Sequence, residues 1–585
     1  MEMIDLRDES RIAAELVDIR WERINLYLTV NMKGCDENED FNNYNFYGIN
    51  GLFVAQFKFD FISQKGQEIV LKCNITNNGY RCSIPLGKYS VLVCQKENIL
   101  AELEVDINLV KHFENLSRSF LYGSRRNVYS VSFYVAEHAE NLCFRVHMMA
   151  AASVGQSYPG ISFFRRIKNA VKSVLGTRRD LLRMMYAFFS IFRKKNRKKK
   201  TVLFMTEQSS KISSNLSSVF DRMIKRGLDK DYKIIYSARE QTVTNLNKVS
   251  WIKFIRKLAK SDFIFLDDHA PVLDWLELKD NTLVVQLWHA GAGFKSSGYS
   301  RWGRFGAPAP VSCHRQYDFG IAGSKNIAHF FAEAFGMNNE RILPTGMPRM
   351  DIFLNKKYRK KKTKELYELF PACRDKKVIL FAPTYRGMNK MNAYYPYDHL
   401  NLPDLYELCS DQYVFLFKMH PWVTQPPEIP EQYHDRFLDV GHYPNINDLF
   451  YITDLLITDY SSGIFEYSLM RKPMLFYAYD EIQYSFTRGF HRPYRESAPG
   501  KVCNTFQEVI NAIKNEDYEF KKVEDYIIEH FDYIDSGASD RVIDWILLDK
   551  LPEDIKEAIK KRDEQNQAFL ELDFTGLADE SLIEE

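Results

Sequence analysis

The sequence predicts an α/β protein: two successive parallel-sheet halves of Rossmann type facing a cleft, with an all-β module ahead of them. Three observations predict it. From Thr201 onward short apolar runs alternate with amphipathic helical stretches, and the alternation restarts at Val378. Polar residues recur where those apolar runs stop. Upstream, residues 15–150 hold short β-branched and aromatic runs at close spacing.

At 585 residues the chain is too long for one domain, and hydrophobic residues at 45% leave ample material for cores. A net charge of +2 gives no global field for nucleic acid. The nine cysteines show no C-x-x-C pair, which fits reduced thiols. The N-terminus lacks an apolar leader core, and no window reaches the roughly 18 apolar residues that a membrane span needs. A soluble or surface-bound intracellular protein is expected.

Taken in order, residues 1–150 read as a β-sandwich-like accessory module. Its strand candidates are Arg20–Val30, Phe53–Phe61 and Val131–Val135, with turn signals at Asn78-Gly79 and Pro85-Leu86-Gly87. Residues 157–200 change character: 161–200 carry fourteen Lys and Arg against one acid, Asp180, with aromatics and Leu interleaved. Phe163, Phe164, Ile167, Val171, Val174 and Leu175 fall at helical spacing, so a basic amphipathic helical linker is expected, suited to an anionic membrane surface. A linker helix packed on the next domain and a nucleic-acid arm are the alternatives; the Met and Phe content disfavours the arm.

The first parallel half, 201–370, is read from TVLFMT, YKIIYSA, FIFLDD, LVVQLWHA, FGIAGS and RILPTGM. The second, 371–550, is read from VILFAPTYR, YVFLFKMHP, RFLDVGH, LLITDYSS and PMLFYAYD. Residues 551–585 are expected to form a charged helical surface tail. In parallel sheets the strand ends line one cleft, which collects His289, Ser324, Pro383-Thr384-Tyr385-Arg386, Lys418, His420 and the Asp459-Tyr460-Ser461-Ser462 turn. That last turn opens a helix, a ready anion site, although Ser461 as a plain N-cap competes with it. There is no P-loop and no dinucleotide glycine motif, and the serine and thiol hydrolase signatures are missing. Asp267-Asp268-His269 lacks the spacing of a closed metal site, so no bound metal or cofactor is expected to be required; dependence on a divalent metal is left open.

Six segments in order then resemble the CDP-glycerol glycerophosphotransferase family of teichoic-acid polymerases and primases. They are LWHAG (287–291), PTGMPRMD (344–351), ILFAPTYRG (379–387), FKMHP (417–421), DLFYITDLLITDYSSGIFEY (448–467) and TRGFH (487–491). The resemblance covers roughly residues 201 to 545 and implies a GT-B-like fold, a CDP-polyol donor and a membrane-bound, lipid-linked polymer acceptor. Here Ala290-Gly291-Ala292 follow His289 where the family usually has Gly then Thr or Ser, Lys418 stands where Arg is common, and Tyr385 where Trp is frequent. The implied reaction transfers glycerol phosphate or ribitol phosphate to a polymer hydroxyl and releases CMP. On that reading His289 and His420 are catalytic, His289 as general base. Pro383, Thr384, Arg386, Lys418, Asp459, Ser461, Ser462, Glu466 and Arg488 bind the donor, Glu466 at the ribose. Trp288, Gly291 and Gly293 lie on the acceptor side. Localisation at the cytoplasmic face of the membrane, held peripherally, follows. A nucleotide-sugar GT-B glycosyltransferase and a non-catalytic polymer-binding scaffold are the other readings. The polyol, primase versus polymerase action, the β-module's role and any homo-oligomer are left open.

Overall fold

A computed structural model of the chain describes residues 12–574 apart from 37, 52–53, 79–80, 96–97, 124–126, 139–140, 153–177, 194–197, 241–247, 292, 305 and 388–389. The expected helix over 163–175 therefore lies outside the described residues. The nine cysteines are unbridged.

Ten N-terminal strands pair in the order Ala13–Glu22, Asn25–Lys33, Glu68–Asn74, Ala55–Lys65, Asn45–Asn50, Gly87–Gln95, Asn98–Val105, Asn141–Ala152, Asn127–His138 and Arg118–Tyr122. Residues 14–16 also pair in parallel with 103–105, so the first seven strands close on themselves. Closure leaves few free edges, and one face of each strand (Leu26, Leu28 and Val30 on the second) fills a common core. The run expected as one strand, Arg20–Val30, is instead a hairpin, with Arg23 in the left-handed region at φ 56°. Apolar alternation continues through that turn, which hid it. The Asn78 turn signal does not join paired strands either, since Glu68–Asn74 and Gly87–Gln95 are not neighbours. The Asn78 side chain accepts the Lys58 N–H at 2.9 Å and donates to the Lys58 carbonyl at 3.1 Å.

The two halves follow as six-stranded, wholly parallel sheets. In the first the order is Tyr232–Ala238, Lys200–Thr206, Phe263–Leu266, Leu283–Gln286, Phe319–Ile321, Ile342–Leu343. The second runs Phe437–Asp439, Tyr413–Phe417, Lys377–Phe381, Leu455–Thr458, Met474–Tyr477, Lys501–Cys503. The order in which strands are added reverses between Lys377–Phe381 and Leu455–Thr458, so the segments beginning at Pro383 and Asp459 flank the crevice where such sheets bind ligands. The strand Lys501–Cys503 was not expected; three residues carry too little periodicity to be read.

The chain crosses between halves twice. Helix Lys356–Leu369 starts the second half, and after helix Lys521–His530 the chain returns to the first half through Ala538–Val542. Asp351, just before the first crossing, accepts the N–H groups of Ala538 and Ser539, each at 2.8 Å, just after the second. Arg222 and Arg226 then clasp Asp540 and Asp544. The C-terminal helix Glu553–Leu570 is no free tail. Its Phe569, with Phe574 beyond it, packs against Tyr47, Ile49 and Leu92 of the β-module, and Arg562 reaches Asp60 and Glu340.

Candidate active site

The two halves and the β-module enclose a cavity of about 750 Å³. The first half contributes Asp268, Trp288, His289, Gly293, Lys295 and Arg301 to its wall; the second contributes Thr384, Tyr385, Ser462 and Arg488; the β-module contributes Gly123.

His289 leaves strand Leu283–Gln286 through Trp288, a bulky residue held at φ 47°. Such a backbone costs about 1–3 kcal/mol and persists only where its surroundings over-determine it. Here the Trp288 N–H is held by Gln286 Oε1 at 2.9 Å and its carbonyl by Asn215 at 2.7 Å. The turn swings the His289 ring out, so that it is half exposed, with Nδ1 3.3 Å from the Asp267 carbonyl and 3.3 Å from Asp268 Oδ2. Both neighbours only accept, so in the neutral tautomer Nδ1 carries the proton and Nε2 is left to accept one.

His420 has the opposite arrangement. Its Nδ1 accepts the Trp422 backbone N–H at 3.1 Å, which places the proton on Nε2. It lies one ring back from the cavity, against Tyr385 with centroids 4.7 Å apart. Burial, followed by the Lys295 and Lys418 cations, lowers its pKa to about 4, so at neutral pH it is an uncharged hydrogen-bond donor. Imidazole NMR is expected to find His420 titrating near that value, and Lys295→Ala to move it up toward 6.5 by removing one like charge. Titration near 6.5 in the parent protein would sink this assignment.

Several residues expected to bind the donor are already engaged. Lys418 is buried and donates to the Gly441 carbonyl at 2.8 Å rather than into the cavity. Arg386 is buried between Asp459 at 2.9 Å and Asp480 at 2.6 Å. Burial alone would lower the Arg386 guanidinium pKa, but Asp459 and Asp480 hold it well above its ordinary value. Asp459, 1% exposed, also accepts both the N–H and the hydroxyl of Thr384. These groups set the shape of the strand-end loops, with Pro383 buried beside them. Glu466 is buried in an ion pair with Arg349, whose guanidinium also donates to the His289 carbonyl at 2.7 Å. It therefore joins the two halves, with Arg349 held on its Oε1. Gly291 serves packing: a Cβ there would come within 2.6 Å of Phe465. Gly293, at φ +55°, lines the cavity. Ser461 accepts the Gly463 N–H at 3.2 Å, a local turn bond ahead of the helix whose N-cap is Gly463, while Ser462 faces the cavity. The helix it opens, Ile464–Ser468, is only five residues long.

Of the cavity's cations, sequence reasoning named Arg488 and missed Lys295 and Arg301. Arg488 donates to the Tyr385 hydroxyl and the Gly387 carbonyl, each at 3.1 Å. Lys295 lies 5.7 Å from the Tyr484 ring centroid. Arg301 has no carboxylate partner among the described residues, and its Nε is buried without a hydrogen bond. Burial and then Arg488 lower its pKa from the ordinary guanidinium value. Three cations and the His289 imidazole in the wall, with a neutral donor one ring behind it, suit an anionic substrate whose charge shifts during reaction. Among the described residues one donor set has metal-ligand types: His269, Asp274 and Cys313, with ligand atoms within 4.8 Å of one another. They bond among themselves, Asp274 Oδ1 lying 3.1 Å from His269 Nε2 and 2.9 Å from the Cys313 N–H.

Comparison with known proteins agrees with this geometry. The chain is 31% identical to the teichoic acid ribitol-phosphate polymerase TarL of Staphylococcus aureus, over 90% of this chain and 97% of that protein. It is 37% identical to a teichoic acid poly(ribitol-phosphate) polymerase of Bacillus spizizenii, over 64% of this chain and 60% of that one. A solved variant of the wall teichoic acid polymerase TagF superposes with TM-score 0.51 at 25% identity, covering 68% of this chain and 100% of that one. The fold it shares is the GT-B-like α/β arrangement. Residues 186–548 match the model of one family, and the chain belongs to it: the CDP-glycerol:poly(glycerophosphate) glycerophosphotransferases.

Proposed function

We propose that this chain transfers a polyol phosphate from its CDP-activated donor to a hydroxyl of a lipid-linked teichoic-acid-type polymer, releasing CMP. The observation that carries the reading is the pair of histidines with opposite tautomers on the two halves, His289 in the wall of a cationic cavity and His420 one ring behind it. The acceptor oxygen bonds to the β-phosphorus, and the bond from that phosphorus to the CMP oxygen breaks. The hydroxyl proton passes to His289 Nε2, oriented by Asp268. His420 Nε2–H, Lys295, Arg301 and Arg488 offset the charge on the departing CMP. Such transfer depends on positioning and charge stabilisation more than on covalent chemistry. On this reading the first half takes the acceptor and the second the donor.

Ribitol is the polyol to test first, since two relatives are named as ribitol-phosphate polymerases. Purified protein is given CDP-ribitol or CDP-glycerol with a lipid-linked acceptor analogue in anionic vesicles, and CMP release is measured. Release with one donor fixes the polyol. No release with either, together with turnover of a UDP- or GDP-sugar, would transfer the assignment to a sugar transferase.

A membrane seat for the same reaction is supported by helix Arg178–Ile191. It buries Leu182 and Tyr186 against the first half, while Leu181, Met184, Phe188 and Ile191 stand exposed at helical spacing. Among the described residues no helix is long and apolar enough to cross a membrane. An apolar stripe beside Arg178, Arg179 and Arg183 suits insertion into an anionic interface. Met184→Glu with Phe188→Glu is expected to weaken co-sedimentation with phosphatidylglycerol vesicles by at least about tenfold, given ~1.5–3 kcal/mol per buried apolar side chain. Unchanged vesicle binding would place the anchor elsewhere.

A further inference from the structure

The cavity's cations do not stop at its wall. The segment carrying Arg301 and Arg304 is shared with the β-module. Gly303 N–H donates to the Leu121 carbonyl at 3.0 Å, and Gly123 N–H donates to the Ala307 carbonyl at 3.3 Å. Between these bonds Trp302 stacks on Tyr122, centroids 5.5 Å apart at 16°, and meets Tyr129 at 5.3 Å. The β-module thus sets where these arginines stand.

Arg304 lies on the backbone of Gly489, so close that a Cβ there would sit 1.1 Å from its Nη1. That Nη1 is buried and makes no hydrogen bond. Arg118, on the module's strand Arg118–Tyr122, covers the Phe120 ring at 5.5 Å. Arg118 and Arg304 have no carboxylate partner among the described residues, whereas nearby Arg23 is fully engaged by Glu22 and Glu333. They are close enough to feel one another: burial, and after it Arg118 and Arg23, lower the Arg304 pKa. Arg488, Arg301, Arg304 and Arg118 therefore form a row from the cavity to the β-module, lacking counter-ions. Crowded guanidinium groups repel, and a ligand with anions repeated along its length relieves several at once.

We propose that this row is a subsite for the finished part of a phosphodiester acceptor chain. Arg304 and Arg118 take phosphates of units preceding the hydroxyl that reacts at His289. The inference rests on the proposed transfer reaction and adds to it a recognition of chain length by the β-module junction.

The test uses the full chain, its preferred CDP-polyol, and two lipid-linked acceptor analogues bearing one or several polyol-phosphate units. The parent is expected to favour the longer acceptor. Arg304→Ala and Arg118→Ala are each expected to lower kcat/KM on the longer acceptor on the order of tenfold. Turnover of the single-unit acceptor and KM for the donor should stay as in the parent. KM for the longer acceptor should also become less sensitive to salt. Should Arg304→Ala fail to fold, the exposed Arg118→Ala and the charge-keeping Arg304→Lys still discriminate. A parent without length preference, or variants that lose both acceptors equally or neither, would overturn the subsite. A shift of vesicle binding with unchanged length preference would assign the row to lipid headgroups instead. If the parent releases no CMP with any acceptor, the transfer reaction itself fails, a separate outcome.

Discussion

His289→Ala is expected to reduce kcat for CMP release by about 10²–10⁴-fold, the range over which a positioned base accelerates proton transfer. KM for the donor should change little, because the donor's charges meet Lys295, Arg301 and Arg488 rather than the imidazole. Stability should hold too, since the imidazole is half exposed and its Nδ1 contacts are long, at 3.3 Å. Asp268→Asn should give a smaller loss: it leaves Nε2 in place but weakens the acceptor that keeps the proton on Nδ1. Asp267 is a poor substitute, as burial pushes its carboxyl up to about 6. Steady-state kinetics beside circular dichroism checks this. Near-parent turnover by His289→Ala would remove the residue from the chemistry and leave proton transfer to solvent.

Arg386→Ala should act first on stability, destabilising the second half by about 3–5 kcal/mol, the cost of stripping one partner from buried ion pairs. Removal leaves Asp459 and Asp480 facing each other with no cation between, and both still anchor other groups: Asp459 holds Thr384, and Asp480 accepts the Tyr460 hydroxyl at 3.0 Å. Arg488→Ala is the contrast. Its guanidinium bonds only to neutral oxygens, so unfolding should shift little while kcat/KM for the donor falls. Chemical denaturation followed by tyrosine and tryptophan fluorescence separates the two. An Arg386→Ala protein as stable as the parent, with only a raised donor KM, would make Arg386 a substrate ligand after all.

These two arginines show what a sequence can disclose. Arg386 stands past a strand end, which is legible because apolar runs and turn residues are local, whereas Arg488 closes helix Glu481–Thr487 and was reached through the TRGFH resemblance. Hence His289, His420, Thr384 and Ser462 were found at the crevice. Whether a strand-end charge is already paired is settled by residues far away in the chain: Asp480 for Arg386, Gly441 for Lys418, Arg349 for Glu466. No periodicity encodes those partners. Lys295, Arg301 and Arg304 were invisible for the complementary reason. Their segment has no regular strand or long helix, and its course depends on Leu121 and Tyr122, some 180 residues earlier. The Arg23 hairpin was missed because a two-residue turn kept the alternation intact.

The double crossing between the halves has a mechanical meaning. Two chain segments that run side by side, pinned by Asp351 to Ala538 and Ser539, act as the two leaves of one hinge. His289 and His420 belong to the two halves that these segments join. The Arg349–Glu466 pair joins the same halves and works as their latch. A hinge opening of the cleft would break that pair.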